Sequence, residues 1–292
     1  MPGHDRAGVI ARGALRAALF VLALVGVAVI WESYKLVGPE GGGEVFGWRL
    51  IPKASDQAMP HTWEMGSRLF DPEVRGKDTP IWLAILGYSW YTFRMVLVGL
   101  LLGAVFGIAL AIVMARFKVV ERGLLPYVIA SQTVPLIALA PQVAALGGNW
   151  DLPKWMWVAA LGAFLAFFPI TVATLKGLST PPPASLELMD SYAASWTTTL
   201  VKLRFPAALP TMAPGFKLGA TAAVIGVIVS EISTGVRGVG FAALTYGQKA
   251  TSDPAQVYTA VFGAAVLGLV MFGFVVIIEA VMMRNRPPEA IG

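Results

Sequence analysis

A polar segment between two long apolar stretches carries the side chains best suited to binding a protein partner. Residues 181–206 hold two carboxylates, Glu187 and Asp190, followed by the small residue Ala193 and the run Leu203-Arg204-Phe205-Pro206. Carboxylates beside apolar side chains complement another protein surface, whereas this set lacks the nucleophile and base that catalysis requires. Docking is therefore the chemistry that the segment predicts.

Catalytic and metal-binding motifs are missing from the rest of the sequence. No G-x-x-x-x-G-K-[ST] motif occurs, so the chain is predicted not to hydrolyse ATP by itself. The glycine-rich stretch 235–240 lacks the lysine of such a motif and is predicted to be a flexible outer loop. There is no cysteine, and the two histidines, His4 and His61, lie far apart in polar stretches, where we expect solvated imidazoles. The sequence predicts a protein that is not an enzyme and binds no metal or cofactor itself.

Composition places the chain in a lipid bilayer. Of its 292 residues, 57% are hydrophobic and 13% charged, against about 25% charged in soluble domains. The net charge of +5 comes from short basic clusters between apolar stretches, the pattern of cytoplasmic loops rather than of a nucleic-acid surface. We therefore predict an all-α membrane protein in contact with lipid and with no nucleic-acid partner.

Six apolar stretches are predicted to span the membrane, each near the roughly 20 residues that a spanning helix needs. They cover residues 17–37, 92–114, 124–146, 155–175, 207–229 and 257–282. A cleaved signal peptide is the alternative for the first stretch, but Trp31, Glu32 and Tyr34 occupy the zone where small residues would mark cleavage. An aromatic interfacial stretch at 81–91 is expected before the second span.

The segments between the spans give a predicted domain organisation. A polar, glycine-punctuated loop is expected at 230–254, and a short amphipathic helix near 63–70. The four predicted parts are a cytoplasmic segment with the first span (1–37), an extracytoplasmic excursion (38–80), a membrane core containing the 181–206 loop (81–286) and a cytoplasmic tail (287–292).

Basic residues predict the orientation, because cytoplasmic loops of membrane proteins are enriched in lysine and arginine. With the N-terminus inside, both termini and the 181–206 loop are cytoplasmic. The excursion also carries basic residues, but long translocated segments contribute little to this rule. The residues then placed inside are Arg6, Arg12, Arg16, Arg116, Lys118, Arg122, Lys176, Lys202, Arg204, Arg284 and Arg286.

Prolines define the local structure of the 181–206 loop. The triple proline at 181–183 ends the fourth span, because proline cannot continue a helix interior. A helix is predicted from about 184 to 195, and a second from about 197 to 205 that leads to Pro206. An amphipathic loop lying flat on the lipid surface is the alternative, which explains the periodicity but not the order of residue types.

This order resembles the cytoplasmic "EAA" loop of ABC-importer permeases, whose pattern is E-A-A, three residues, G, nine residues and I-x-L-P. The spacing fits throughout, with leucine and methionine in place of the alanines and alanine in place of the glycine. In the family this loop is the coupling helix, which docks in a groove of the ATPase. The residues at the pattern positions are Glu187, Leu188, Met189, Ala193, Leu203, Phe205 and Pro206, and Asp190 lies among them.

Two further stretches resemble the permeases of the nitrate, sulfonate, taurine and pyrimidine-precursor importers. One is the run from Gln132 to Pro141, and the other is Val229-Ser230-Glu231 with the glycines at 235, 238 and 240. The resemblance implies a type I ABC-importer permease fold in the inner membrane of a prokaryote. It also implies an ATP-binding cassette subunit that holds ATP and Mg, an extracytoplasmic solute-binding protein, and a second permease copy in a homodimer.

Polar residues inside apolar stretches are candidates for the transport path, because they are costly in a membrane. Gln132 and Thr133 lie beside Pro135, whose broken helix frees a carbonyl to line a cavity; hydrogen bonding to another helix is an equally good explanation. Arg94 and Glu231, near outer span ends, are expected to be paired or to extend to the interface.

Lys217 and Glu279 are at similar depths and form a candidate ion pair. An ion-coupled secondary transporter is the alternative function for the whole chain. Such a carrier would place coupling carboxylates near the membrane middle, whereas the acidic residues here cluster at span ends.

Overall fold

The computed structural model describes residues 4–74 and 76–283, and the described part is mainly helical. Arg75, Arg284, Arg286 and the predicted tail at 287–292 lie outside the described residues. The helices are α1 His4–Val37, α2 Thr62–Arg68, α3 Ile81–Arg116, α4 Lys118–Ala130, α5 Leu136–Asn149, α6 Lys154–Leu178, α7 Pro183–Ser191, α8 Trp196–Thr199, α9 Phe205–Thr234, α10 Val239–Gly247 and α11 Pro254–Met283. Two strands, β1 Gly43–Val45 and β2 Trp48–Ile51, form an antiparallel hairpin.

The chain divides into two compact units. The first comprises Met1–Trp82 and Tyr246–Thr259, and the second comprises Leu83–Thr245 and Ala260–Gly292. A segment near the C-terminal end of the chain therefore belongs with the excursion.

The first unit is built on the C-terminal end of α1. The Trp31 indole donates to the carbonyl of Pro60 at 3.0 Å, and the Tyr34 hydroxyl donates to that of Pro52 at 2.8 Å. Lys35 binds the Asp56 carboxylate at 2.6 Å, and this hydrogen bond lowers the pKa of Asp56 below its usual value. Residues 52–60 thus lie along the last two turns of α1.

His61 is not a free solvated side chain, contrary to the expectation from its polar surroundings. Its Nδ1 lies 2.8 Å from a carboxylate oxygen of Glu32, and its ring stacks on Trp63 with centroids 4.0 Å apart. Glu32 also accepts the backbone N–H and the hydroxyl of Thr62, at 2.7 and 2.8 Å. This carboxylate therefore fixes the start of α2, the helix predicted near 63–70.

The second unit is centred on α3, α6 and α9, which approach through small residues. A Cβ atom at Gly103 would lie 2.9 Å from the carbonyl oxygen of Ala163, and one at Gly226 would lie 2.6 Å from that of Leu161. Bilayers supply no hydrophobic force between helices, so such close backbone contact is a principal source of association. Gly99, Gly103 and Gly107 form the face of α3 that approaches α6.

The described residues contain five helices long and apolar enough to span a membrane, or six if the bent pair α4–α5 counts as one span. Gly99 and Gly107 of α3 lie beside Ala159 and Phe167 of α6, so these two helices run parallel. The chain must therefore cross back between them, and α4–α5 is the segment that returns it.

The predicted third span is broken at Pro135, as expected, into two helices that meet at 101°. The break follows from Pro135, because the residue before a proline avoids helical geometry and Val134 is extended with ψ 123°. Pro141 lies inside α5 without breaking it.

Four other boundaries differ from the sequence prediction. The helix of the second span begins at Ile81 rather than near 92, so that it includes the predicted interfacial stretch. The helix predicted at 184–195 ends at Ser191, and the second one does not stop at Pro206 but continues to Thr234. The loop predicted at 230–254 contains the end of α9 and all of α10.

Candidate functional site

The candidate coupling segment begins with an exposed helix. Proline at the first position of α7 costs no hydrogen bond, because the first N–H groups of a helix have no intrahelical partner. None of the residues of α7 is buried. Glu187 and Asp190 are exposed, and 56% of the surface of Leu188 is exposed. Met189 is half-buried. The helix presents both carboxylates and apolar surface to its surroundings.

A left-handed residue ends α7. The N–H of Ala194 donates to the carbonyl of Met189 at 3.0 Å, and that of Ala193 donates to Asp190 at 2.9 Å. These two bonds form a Schellman motif, in which the residue after the C-cap is left-handed and is usually glycine. Ala193 occupies this position with φ 49°. The glycine in the family pattern thus has a physical reason, and alanine meets the same geometry with strain.

The second half of the segment is continuous with a membrane-spanning helix. Ser195 caps α8, its hydroxyl accepting the N–H of Thr198 at 3.2 Å. A π-helical turn over Leu200–Arg204 joins α8 to α9, and such turns often lie at functional sites. Leu203, Phe205 and Pro206 are half-buried where α9 begins. Any displacement of α8 is therefore applied directly to α9.

Arg204 is a residue of this site that the sequence reasoning did not select. Its guanidinium donates to the carbonyl of Leu178, at the end of α6, at 2.9 Å. Arg116, at the end of α3, lies 5.3 Å from the ring of Trp196. Three core helices therefore meet the coupling segment at one end. Its position at the x of the I-x-L-P run is the feature of the sequence that could have identified Arg204.

The candidate path residues lie at the break between α4 and α5. Gln132 and Thr133 belong to a 3₁₀ turn over Ser131–Thr133, and Pro135 precedes α5. The Thr133 hydroxyl donates to the carbonyl of Ala130 at 2.8 Å, and the Gln132 amide lies 3.5 Å from the Ser131 hydroxyl. The hydrogen bonds described for both side chains are thus local, and Thr133 is exposed.

Of the two expectations for Glu231, a partner or an extended position at the interface, the structure shows the first, since the side chain is fully buried and hydrogen-bonded. Its carboxylate accepts the Thr92 hydroxyl at 2.8 Å and the N–H of Gly240 at 2.9 Å, while the same hydroxyl accepts the N–H of Val239 at 3.0 Å. A Cβ atom at Gly238 would collide with the carboxylate. The stretch 235–240, predicted to be a flexible loop, therefore packs closely on Glu231. Its glycines let the backbone at the start of α10 contact the carboxylate.

Two cationic side chains of the core have different surroundings. Arg94 lies 5.9 Å from the ring centroids of Trp90 and Tyr91, within cation–π range. Lys217 and Glu279 form the candidate ion pair, with 28% and 24% of their side chains exposed. The pair joins α9 to α11 and leaves each charge compensated at membrane depth.

Comparison with known proteins gives one family and several relatives. The family described as "Binding-protein-dependent transport system inner membrane component" matches residues 99–284. A probable ABC transporter permease of Haemophilus influenzae is 32% identical over 154 residues, 53% of this chain and 61% of that protein. The formylaminopyrimidine transport permease ThiX of Halalkalibacterium halodurans is 30% identical over 277 residues, 94% and 98% of the two chains. A putative aliphatic sulfonates permease, SsuC of Bacillus subtilis, is 27% identical over 202 residues, 69% and 71%.

Replacing Ala193 by glycine should stabilise the turn after α7. A left-handed alanine costs about 1 kcal/mol relative to glycine, partly offset by the greater freedom of glycine in the unfolded chain. We expect Ala193→Gly to raise the thermal unfolding midpoint of the purified protein in detergent. Ala194→Gly is the matched control, because Ala194 has no positive φ, and it should lower the midpoint. Equal effects of the two variants would contradict the left-handed assignment.

The Lys217–Glu279 pair should tolerate the loss of both charges better than the loss of one. Lys217→Met leaves a carboxylate uncompensated at membrane depth, which should cost about 2 kcal/mol or more in stability. Lys217→Met combined with Glu279→Met should recover most of this loss, as measured by thermal unfolding in nanodiscs. Leu218→Met, on the exposed side of α9, is the control. A double variant as unstable as the sum of the single variants would show that the two charges do not interact.

Proposed function

The chain belongs to the family of binding-protein-dependent transport system inner membrane components and is the permease subunit of an ABC importer; we propose that residues 181–206 couple it to the ATPase subunit. ATP hydrolysis is the task of that separate subunit, which in our proposal binds ATP and Mg²⁺. The chain itself supplies the membrane passage for a small solute.

The exposed surface of α7 is the observation that carries this proposal. A nine-residue helix with no buried residue gains little from packing against its own chain, yet the prolines before it and the capping motif after it fix both of its ends. A surface that is both exposed and rigid binds a partner with little loss of conformational entropy. Glu187, Leu188 and Asp190 are the side chains offered to that partner.

The partners follow from the same proposal. A solute-binding protein delivers the solute on the extracytoplasmic side, and a second copy of this chain completes the passage. The relative aligned over 94% of this chain is a formylaminopyrimidine permease, which favours a small polar organic solute. Gln132, Thr133 and Pro135 are candidates for the passage, because their broken helix offers polar side chains and backbone carbonyls at membrane depth.

We further propose that both termini are cytoplasmic and that 38–80 is extracytoplasmic. The basic residues Arg116, Lys118, Lys202 and Arg204 support this orientation, since the structure gathers Arg116 and Arg204 at one end of the core. Residues 181–206 would then face the ATPase.

Reversing the charge of Glu187 should weaken ATPase binding. Glu187→Arg replaces the carboxylate by a cation, which would repel any basic residue of the ATPase that Glu187 contacts or would be left unpaired in the interface. We expect copurification of the ATPase subunit to fall by at least about tenfold. Glu40→Arg makes the same charge change in the excursion and should leave copurification unchanged. If a folded Glu187→Arg variant retains its ATPase and transports at the normal rate, the coupling role of this segment is wrong.

Single cysteines can test the orientation, because the native chain has none. We expect Ser185→Cys to be protected from membrane-impermeant thiol reagents in intact cells, and Lys77→Cys to react. Both should react after the membrane is permeabilised, which controls for burial of the thiol. Labelling of residue 185 from outside would overturn both the orientation and the coupling role.

A further inference from the structure

We propose that the β1–β2 hairpin is seated in the membrane surface, with its tip at the boundary between lipid headgroups and acyl chains. The partner is the bilayer leaflet around α1. We define the hairpin tip as Phe46, Gly47 and Trp48. This proposal uses the extracytoplasmic orientation given above only to name the leaflet.

The turn of the hairpin contains an unexpected residue. Val45 pairs with Trp48, so Phe46 and Gly47 form a two-residue turn, and both have positive φ, 54° and 79°. Such turns favour asparagine, aspartate or glycine, because a bulky residue with positive φ is strained. A phenylalanine here worsens the turn. Its presence is best explained by something that the ring contacts.

The side chains around the tip are apolar and uncovered within their unit. Phe46 is 96% exposed and Trp48 is 73% exposed. Leu36 and Val37, at the end of α1, are 88% and 84% exposed. Large apolar side chains with this degree of exposure are unfavourable in water and mark surfaces that bind protein or lipid.

The attachment of the excursion to α1 favours lipid. Residues 52–60 are bonded to Trp31, Tyr34 and Lys35, so the chain after β2 runs along the outer end of a membrane-spanning helix. The carbonyl that accepts the Tyr34 hydroxyl belongs to Pro52, the residue directly after β2. The hairpin therefore starts at the level where the span leaves the bilayer.

The dimensions of the hairpin fit the same location. The four residues of β2 cover roughly 13 Å at 3.3 Å per residue, so the tip remains close to the outer end of α1. The headgroup regions add about 5–8 Å on each side of the hydrocarbon core, and tryptophan is enriched there. The exposed apolar surface of α1, including Leu22 at 65% and Ile30 at 71%, continues into Leu36 and Val37. In our proposal the hairpin lies along the membrane surface, so that its tip extends this apolar surface.

The consequence is a second anchor for α1. Within its unit, α1 is held at its outer end, and none of its apolar span is buried. A hairpin embedded in the surface would fix the depth and the rotation of this end of the helix. The strained turn is then maintained because the aromatic ring at its tip is buried in lipid.

Depth-dependent quenching tests the proposal on the full-length protein in nanodiscs of phosphatidylcholine and phosphatidylglycerol. Phe46→Cys and Trp48→Cys would carry an environment-sensitive fluorophore, and Gly41→Cys is the control because a side chain there meets open space. We expect nitroxide-labelled lipid to quench the label at 46 or 48 at least about threefold more than the label at 41, with the reverse order for aqueous iodide.

A third variant separates turn geometry from membrane contact. Asparagine suits the turn better than phenylalanine, so Phe46→Asn should preserve the hairpin. In combination with Trp48→Cys, it should nevertheless reduce lipid quenching of the label at 48 relative to Trp48→Cys alone. Equal iodide quenching at 41, 46 and 48 would overturn the proposal. Protection that arises only after a solute-binding protein is added would overturn it as well, by assigning the tip to that protein. The orientation itself is tested by thiol labelling, so the two can fail separately.

Discussion

Close contact between the backbones of α3, α6 and α9 is the interaction on which the second unit depends. Glycines at 103, 215 and 226 bring carbonyl oxygens of neighbouring helices to within 2.6–2.9 Å of where a Cβ atom would be. Packing at this distance replaces the hydrophobic force that a bilayer does not provide. It also leaves the helices little freedom to slide past one another. Sliding would open gaps at the glycines that no side chain is present to fill. The three helices therefore act as one block.

This block gives the proposed coupling segment, residues 181–206, a way to influence the membrane passage. α8 continues through the π-helical turn into α9, Arg204 ties the turn to the end of α6, and Arg116 of α3 lies against Trp196. A force applied to α7 and α8 thus reaches all three core helices at the same end. The rigid turn at Ala193 matters for the same reason, because a loose connection would absorb the movement.

Much of this architecture follows from the sequence, and the exceptions have physical causes. Hydrophobicity predicted the spans because apolar length is what the bilayer selects. It did not predict the hairpin, since strands of three and four residues leave little periodic signal, and Phe46 is not a turn-forming residue. The break at Pro135 was expected from the proline, whereas the angle of 101° was not, because a run of apolar residues does not indicate the direction in which the chain continues. The environment of Glu231 was also missed, because it depends on Thr92, which is distant in sequence.

Polar contacts at two levels of α9 determine which movements remain open to it. Glu231 joins one end of α9 to Thr92 of α3 and to the start of α10. Lys217, 14 residues before Glu231 and therefore about 21 Å away at 1.5 Å per residue, joins the other half of α9 to α11. Rotation of α9 about its own axis would break both sets of contacts and expose charge to lipid, which costs several kcal/mol. Tilting of α9 together with α3, α6 and α11 preserves them. The polar contacts within the membrane therefore favour movement of the whole block when the coupling segment is displaced.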